Sequence, residues 1–172
     1  MADPQLLRSF RFRVKLLRSP AAVSGSTDPS GAALPTGSQL GDGGFQECSG
    51  LEVDMEVLEY HEGGRNDGVI RRVGRAKYVE LVLKRGMLFS DGGSVNAELW
   101  TWLQGVVAGV RPVQRYDGIV EVLDGSGPAA VARWVFTRGL PAKVTGPALN
   151  ARTGDVAIEE LRIAHEGLRL VQ

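Results

Sequence analysis

The two histidines of the chain occur in the same tripeptide, His-Glu-Gly, at residues 61–63 and 165–167. An imidazole beside a carboxylate is a combination used in acid–base catalysis and metal binding. Neighbouring residues of a β-strand point to opposite faces, however, so such a pair does not converge on one ligand. The chain also lacks HExxH and CxxC spacings. We interpret the tripeptides as strand ends at which glycine permits a turn, and we expect no metal and no cofactor.

Other potential nucleophiles lack the partners that would activate them. Cys48 has no histidine at a recognisable spacing and is expected to be a core or near-core residue. Ser24, Ser26 and Ser30 lie in a glycine-rich stretch without a GxSxG motif. The GDGG and GSG stretches do not lie between a strand and a helix, as a phosphate-binding loop would. The sequence therefore predicts a protein without enzymatic activity.

Composition narrows the class of protein further. The chain has 172 residues, 43% of them hydrophobic, which predicts a single domain over residues 1–172. Twenty basic and twenty acidic residues cancel, so no specific nucleic-acid recognition is expected. No apolar run approaches roughly 18 residues and no signal peptide is evident, so we expect no membrane insertion segment. A single cysteine fits a cytoplasmic place of synthesis.

The first half of the chain predicts long amphipathic strands. Apolar and basic residues alternate over residues 9–17, which is the period of a strand with one buried face. Residues 19–43 form an insertion rich in Gly, Ser, Pro and Ala, which predicts a flexible loop. A second strand is expected over residues 51–60, with a β-bulge where the alternation slips at Val57 and Leu58. A turn over residues 61–68 follows.

The second half predicts one helix among further strands. A strand is expected over residues 76–86, and a helical apolar stripe lies in residues 94–109, with Ser94 or Asn96 as its cap. A hairpin around Asp124 to Gly127, a loop over residues 140–155 and a final strand over residues 155–171, with a bulge near Glu159 and Glu160, complete the pattern. The fold class expected is mainly β with one α-helix, in two antiparallel sheets that form a sandwich or barrel.

Two groups of side chains allow more than one interpretation. The tryptophans Trp100, Trp102 and Trp134 could form the wall of a ligand pocket, but Trp102 belongs to the apolar stripe of the helix and Trp134 to a predicted strand, which favours core packing. Two charged rows are either solvated faces or complementary surfaces of an assembly: Arg11, Arg13 and Lys15, and Glu52, Asp54 and Glu56.

The order of several motifs carries more information than any one of them. In sequence they are FRFRVKL, GLEVDMEVLEYHEGG, KYVELVLKRG, ELWTWLQGVVAG, VARWVFTRGLPAKVTGPALNA and VAIEELRIAHEGL. This succession resembles the tail tube proteins of the phage T4 type, including the inner-tube subunits of extracellular contractile injection systems. The resemblance covers nearly the whole chain except the insertion.

The resemblance implies a structural protein that polymerises. Two antiparallel sheets flanked by a helix would form the subunit, six subunits a ring, and stacked rings a hollow tube. The implied partners are other copies of the chain, a sheath protein, baseplate and tube-cap proteins, and cargo or a tape-measure protein in the lumen. Assembly is expected in the cytoplasm, before the tube becomes part of a phage tail or injection particle. Structural or interface roles are implied for eight residues: Trp102, Trp134, Pro141, Pro147, Asn150, Glu159, His165 and Glu166.

The insertion departs from the family pattern, in which the first two strands are joined by a much shorter turn. This departure leaves open a specialised ring, such as a tube-initiating or baseplate-proximal ring. The loop is expected to face the tube exterior or a ring junction, because six copies would obstruct the lumen. Two alternatives remain: a tube protein of the type VI secretion apparatus, and a monomeric β-barrel that binds a small apolar ligand.

Overall fold

The computed structural model describes residues 6–20, 37–40, 44–64, 66–89, 93–125, 127–152 and 154–171. Most of the insertion, including Ser24, Ser26 and Ser30, lies outside the described residues. The described part of the chain forms nine strands and one helix. In order they are β1 Phe12–Arg18, β2 Glu47–Ser49, β3 Val53–Tyr60, β4 Ile70–Tyr78, β5 Leu81–Gly86, α1 Glu98–Val107, β6 Tyr116–Leu123, β7 Ala130–Thr145, β8 Ile158–Ala164 and β9 Gly167–Val171.

Two antiparallel sheets share the long strand β7. Its first half pairs with β6 and β9, and β6 pairs in turn with β1. Its second half pairs with β8, followed by β5 and β2. Because one strand serves both sheets, the sheets enclose one core in the manner of a barrel-like sandwich. The predicted fold class is confirmed.

The core lies between the two sheets and is completed by the helix. Alternate residues of each strand point into it, as the period-two pattern requires. Its buried members are Val14, Leu16, Leu81, Leu83, Leu99, Trp102, Val120, Phe136, Leu161 and Ile163. The basic residues that alternate with the apolar ones of β1 point away from this core, and they are exposed or half-buried.

The helix forms where the apolar stripe predicts it. Leu99 and Trp102 are its buried residues and face the sheets. At its start, the Asn96 side-chain Oδ1 accepts a hydrogen bond from the Glu98 N–H at 3.1 Å, which satisfies one of the free amides of the first turn. Gly109 follows the helix with a φ of 74°, a conformation that glycine adopts without a steric penalty. No helix in the described part of the chain is long and apolar enough to cross a membrane.

A bulge in β7 forms the corner at which the two sheets meet. Two residues of β7 stand opposite Asp117, and one of them, Arg138, has a φ of 57°. The carboxylate of Asp117 accepts hydrogen bonds from the Arg138 N–H at 2.7 Å and from the Ser19 hydroxyl at 2.6 Å. Beside this corner, the ring of Phe136 occupies the space in which a side chain on Gly118 would stand.

Two strand predictions were wrong in a similar way. The strand predicted over residues 76–86 is two strands, because β4 ends at Tyr78 and β5 begins at Leu81 in a different sheet. The final predicted strand is likewise divided into β8 and β9, which pair with different halves of β7. Val79 carries the apolar alternation across the first break, whereas the alternation changes register across the second. Alternation alone does not show which sheet a strand belongs to.

The predicted loop over residues 140–155 was wrong for its first part. Strand β7 continues to Thr145, through the buried Pro141. A register shift between Pro141 and Lys143 accommodates the proline, which has no N–H for the sheet. The bulge predicted near Glu159 and Glu160 was wrong, because β8 pairs with β5 without interruption and the register shift of this region lies in β7, opposite Arg162 and Ile163.

The described end of the insertion is attached to the first sheet. Residues 37–40 run beside β1, where the Leu40 N–H donates to the Leu16 carbonyl at 2.7 Å and the Arg18 N–H donates to the Ser38 carbonyl at 2.9 Å. This segment therefore covers part of the outer edge of β1.

The corner at Gly118 gives a test of the fold. Gly118→Ala should lower the free energy of unfolding by about 1–3 kcal/mol or prevent folding, because the added methyl group overlaps the Phe136 ring. Gly125→Ala is the control, since a β-carbon there has nothing within 4 Å, and it should change stability by less than about 0.5 kcal/mol. Urea denaturation measures both, and equal midpoints would contradict the packing described here.

Candidate assembly surface

Strands β3 and β4 form a hairpin that stands outside both sheets. In the described part of the chain these strands pair only with each other, so each has one free edge. Every residue of β3 is exposed. Val57 and Val73, which face each other across the hairpin, are 58% and 75% exposed. A two-stranded hairpin is at best marginally stable by itself in water, and the described part of the subunit covers little of this arm.

One face of the hairpin is apolar. The register between the strands and the alternation along each of them place six residues on this face: Val53, Met55, Val57, Val73, Ala76 and Tyr78. The register shifts between Met55 and Val57, one or two residues earlier than predicted, and the extra residue is in β4, where Gly74 and Arg75 stand opposite Glu56. The shift keeps the valines of both strands on one face, where an apolar partner surface would meet them.

His165 lies at the root of this arm. Its ring lies 5.5 Å from that of Tyr78, at the end of β4, and 5.6 Å from that of Phe136 in the core. Both ring nitrogens are buried without a hydrogen-bond partner in the described part of the chain. Burial lowers the pKa of His165, and the backbone groups of Val79 and Gly167 oppose this shift only partly. The neutral imidazole is therefore the form that the fold favours.

Glu166 points away from the histidine beside it. Its two carboxylate oxygens accept hydrogen bonds from Arg115 Nη1 at 2.7 Å and Arg138 Nε at 2.8 Å. The second His-Glu-Gly thus forms the turn between β8 and β9, with the histidine on the arm side and the glutamate at the β7 corner. His61 follows β3 in the loop at the far end of the hairpin, so the two tripeptides do not form one site.

A buried ion pair connects the helix with the second sheet. Glu159 of β8 accepts a hydrogen bond from Arg85 Nε of β5 at 2.6 Å, and its other oxygen accepts one from Trp100 Nε1 of α1 at 3.0 Å. The side chains of Arg85 and Glu159 are 3% and 1% exposed. The role expected of Glu159 rested on the family resemblance alone, and the sequence pattern did not identify Arg85 or Trp100 as its partner.

The tryptophans do not line a common pocket. The Trp102 Nε1 donates to the Gln114 carbonyl at 2.9 Å, and its ring meets Tyr116 edge to face at 4.8 Å. Trp134 is partly buried against the core. An open apolar groove of about 290 Å³ beside α1 is lined by Trp102 and Tyr116, and neither Trp100 nor Trp134 lines it.

The remaining carried-over residues lie along and after β7. Pro141 is buried in the strand, Pro147 is half-buried, and Asn150 is exposed. The Asn150 side chain accepts a hydrogen bond from the Arg152 N–H at 3.0 Å, which shapes the local turn. Their roles at an interface stay predictions.

Neither a metal-binding cluster nor a reactive cysteine is found among the described residues. No group of three or more His, Cys, Asp or Glu side chains that could hold a metal occurs among them. Burial raises the pKa of the Cys48 thiol to about 12, and the neighbouring Glu47 adds to the shift. A thiol with so high a pKa is protonated at neutral pH and is a poor nucleophile.

Chains of contractile injection systems have the same fold. A chain of the anti-feeding prophage baseplate is similar with a TM-score of 0.71 and 22% identity, over 99% of this chain and 97% of the other. A chain of the sheath–tube complex of the extracellular contractile injection system PVC has a TM-score of 0.70 and 18% identity, over 96% and 90%. A chain of the PVC sheath/tube terminator has a TM-score of 0.73 and 18% identity, over 99% and 100%. No curated protein matches.

The sequence assigns the chain to a family within this fold. Residues 8–169 match the T4-like virus tail tube protein gp19, and the chain belongs to that family. The predicted resemblance is thereby confirmed, and the chain is a structural subunit of an inner tube.

The buried ion pair is testable by a conservative substitution. Glu159→Gln should lower the free energy of unfolding by about 3–5 kcal/mol, because the buried Arg85 loses its countercharge. Glu160→Gln, on the opposite face of β8, removes a more exposed carboxylate that pairs with Arg162 and should leave the urea midpoint nearly unchanged. Similar urea midpoints for the two variants would show that the buried ion pair does not stabilise the fold.

The lowered pKa of His165 predicts the direction of a pH effect. The unfolded chain takes up a proton on this histidine near its ordinary pKa of 6.5, before the folded chain does, so stability should fall as the pH is lowered through 6.5 towards the folded pKa. Urea midpoints at about pH 8 and about pH 5 measure the loss. His165→Phe should have a smaller loss, and an equal loss in both proteins would assign the effect to other groups.

Proposed function

We propose that the chain forms six-membered rings that stack into the hollow inner tube of a contractile phage tail or phage-tail-like injection system. The tube conducts cargo or holds a tape-measure protein, a sheath surrounds it, and baseplate and cap proteins meet its ends. The subunit acts by assembly and catalyses no reaction. It is one domain over residues 1–172, it is assembled in the cytoplasm, and it then becomes part of the particle. Membership of the tail tube family supports the tube function, and the similar chains in baseplate and sheath–tube structures support the baseplate and sheath as partners.

The exposed hairpin is the observation that carries the proposal. A subunit that remained alone would leave the apolar face of β3 and β4 in water, along with two free strand edges. Fully burying a valine side chain contributes about 1.5–3 kcal/mol, so contact with a second subunit would stabilise both the hairpin and the assembly. The exposed arm therefore favours a subunit that assembles over the alternative of a monomeric β-barrel that binds a small ligand.

A tube requires a second kind of contact. One heterologous interface closes a ring, and another must repeat along the tube axis. Two further exposed apolar groups are separate from the hairpin in sequence and are available for stacking: Leu6, Leu7 and Phe10 before β1, and Leu88 and Phe89 after β5.

The insertion over residues 19–43 supports a more specific role. A longer connection than the family's usual turn is a means by which one ring of a tube would differ from the others. A tube-initiating or baseplate-proximal ring is therefore the second candidate function. A type VI secretion system protein also has this fold, with a TM-score of 0.54 and 13% identity, but the family match favours the phage-like branch.

The hairpin face gives the decisive test. The wild-type protein should form rings or hollow rods in negative-stain electron microscopy, whereas the variant Val57→Asp with Val73→Asp should stay monomeric in sedimentation velocity, because charge opposes burial of this face. Its far-ultraviolet circular dichroism should match the wild type, since both side chains are exposed in the subunit.

Val107→Asp is the matched control, because Val107 is an exposed valine on α1, far from the hairpin in sequence. This variant should assemble like the wild type. Rings formed by the hairpin variant would contradict the role given to the hairpin face, and a wild type that stays monomeric at every concentration would contradict the tube function.

A further inference from the structure

The two strands of the hairpin carry opposite charges. Strand β3 has acidic residues and no basic ones: Asp54, Glu56 and Glu59. Strand β4 has basic residues and no acidic ones: Arg71, Arg72, Arg75 and Lys77. The chain as a whole has equal numbers of basic and acidic residues, so this separation by strand is a local feature of the arm.

Few of these charges are satisfied inside the hairpin. Between the described residues of β3 and β4, one ion pair forms, from Arg71 Nε to Glu59 Oε1 at 3.6 Å, and its side chains are largely exposed. The Arg72 guanidinium lies over the Tyr60 ring at 4.7 Å. Asp54 stands opposite Lys77 in the register, yet no ion pair joins them. The remaining charges are thus available to a strand that pairs from outside.

We infer that the acidic β3 edge of one subunit pairs with the basic β4 edge of the next subunit in the ring. This inference rests on the proposed ring assembly and specifies which surfaces meet in it. The occupant of each edge is a second copy of the chain, since the two edges of one hairpin complement each other in charge. Both edges are free in the described part of the subunit, and both strands are exposed along most of their length.

Charge separation by strand selects one pairing among three. Two β3 edges, or two β4 edges, would pair about a two-fold axis and produce a closed dimer. Either pairing places like charges opposite each other across the strands, which is destabilising. Pairing β3 with β4 joins opposite charges and leaves one acidic and one basic edge at the ends of the pair, so addition continues in one direction until a ring closes.

Charge reversal on the full-length chain tests the inference. A basic variant carries Asp54→Lys and Glu56→Lys, and an acidic variant carries Arg75→Glu and Lys77→Glu. Each alone has like charges on both edges, and we expect the concentration needed for rings to rise about tenfold or more. Mixed in equal amounts, the two variants should form rings again, because acidic and basic hairpins then alternate around the ring.

A swap variant with all four substitutions keeps opposite charges within the hairpin and between subunits, so it should assemble by itself. Each variant's assembly is measured by sedimentation velocity and negative-stain electron microscopy. A defect in folding of the hairpin is not rescued by mixing, so recovery on mixing identifies contact between subunits.

The outcomes separate this inference from the proposed function. Rings from the wild type and equally from each single-sign variant would overturn the edge pairing and leave the tube function intact. Failure of the mixture, with assembly of the swap variant, would assign the charges to the hairpin's own stability and would also overturn it. A wild type that forms no rings would contradict the proposed function and the pairing together.

Discussion

The fold depends on the bend that lets β7 belong to two sheets. At this bend a non-glycine residue, Arg138, adopts a positive φ, and the Asp117 carboxylate accepts its N–H. Glu166, in the turn between β8 and β9, accepts a hydrogen bond from Arg138 Nε and so fixes the Arg138 side chain. The same corner positions Phe136 beneath His165, and His165 supports Tyr78 at the end of β4. The direction in which the hairpin leaves the subunit is therefore coupled, through a few side chains, to the geometry of one backbone bend.

Buried carboxylates connect the elements, and each has more than one donor. Glu159 joins β8, β5 and α1 through Arg85 and Trp100. On the first sheet, burial by itself would raise the pKa of Glu121, but hydrogen bonds from Arg13 and Arg133 and the nearby charges keep it lowered. A carboxylate that accepts several fixed hydrogen bonds is compatible with only one arrangement of its partners. Such contacts favour a rigid body, which suits a subunit that must repeat identically in a tube.

Alternation in the sequence predicted the fold class, β1, the hairpin of β6 and β7, and the helix. It did not separate β4 from β5, because Val79 continues the apolar pattern into Leu81 across a change of sheet. It predicted β3 as an amphipathic strand, but it did not show that the apolar residues of this strand are exposed in the subunit. Alternation indicates that a strand has an apolar face, but it does not indicate whether the same chain or another chain packs against that face. The order of the motifs identified the family, whereas the contacts of Glu159 and His165 follow only from the three-dimensional structure.

A free strand edge can pair with the wrong strand, and the β1 edge of this subunit is partly protected against such pairing. Residues 37–40 occupy part of the β1 edge through backbone hydrogen bonds to Leu16 and Arg18. An extended peptide or a misplaced neighbouring subunit competes for any edge that is open, and this one is partly closed by the chain itself. The insertion thus has one end that shields the body of the subunit from unwanted strand addition. A shortened insertion that lacked these four residues would leave the β1 edge open to strand addition.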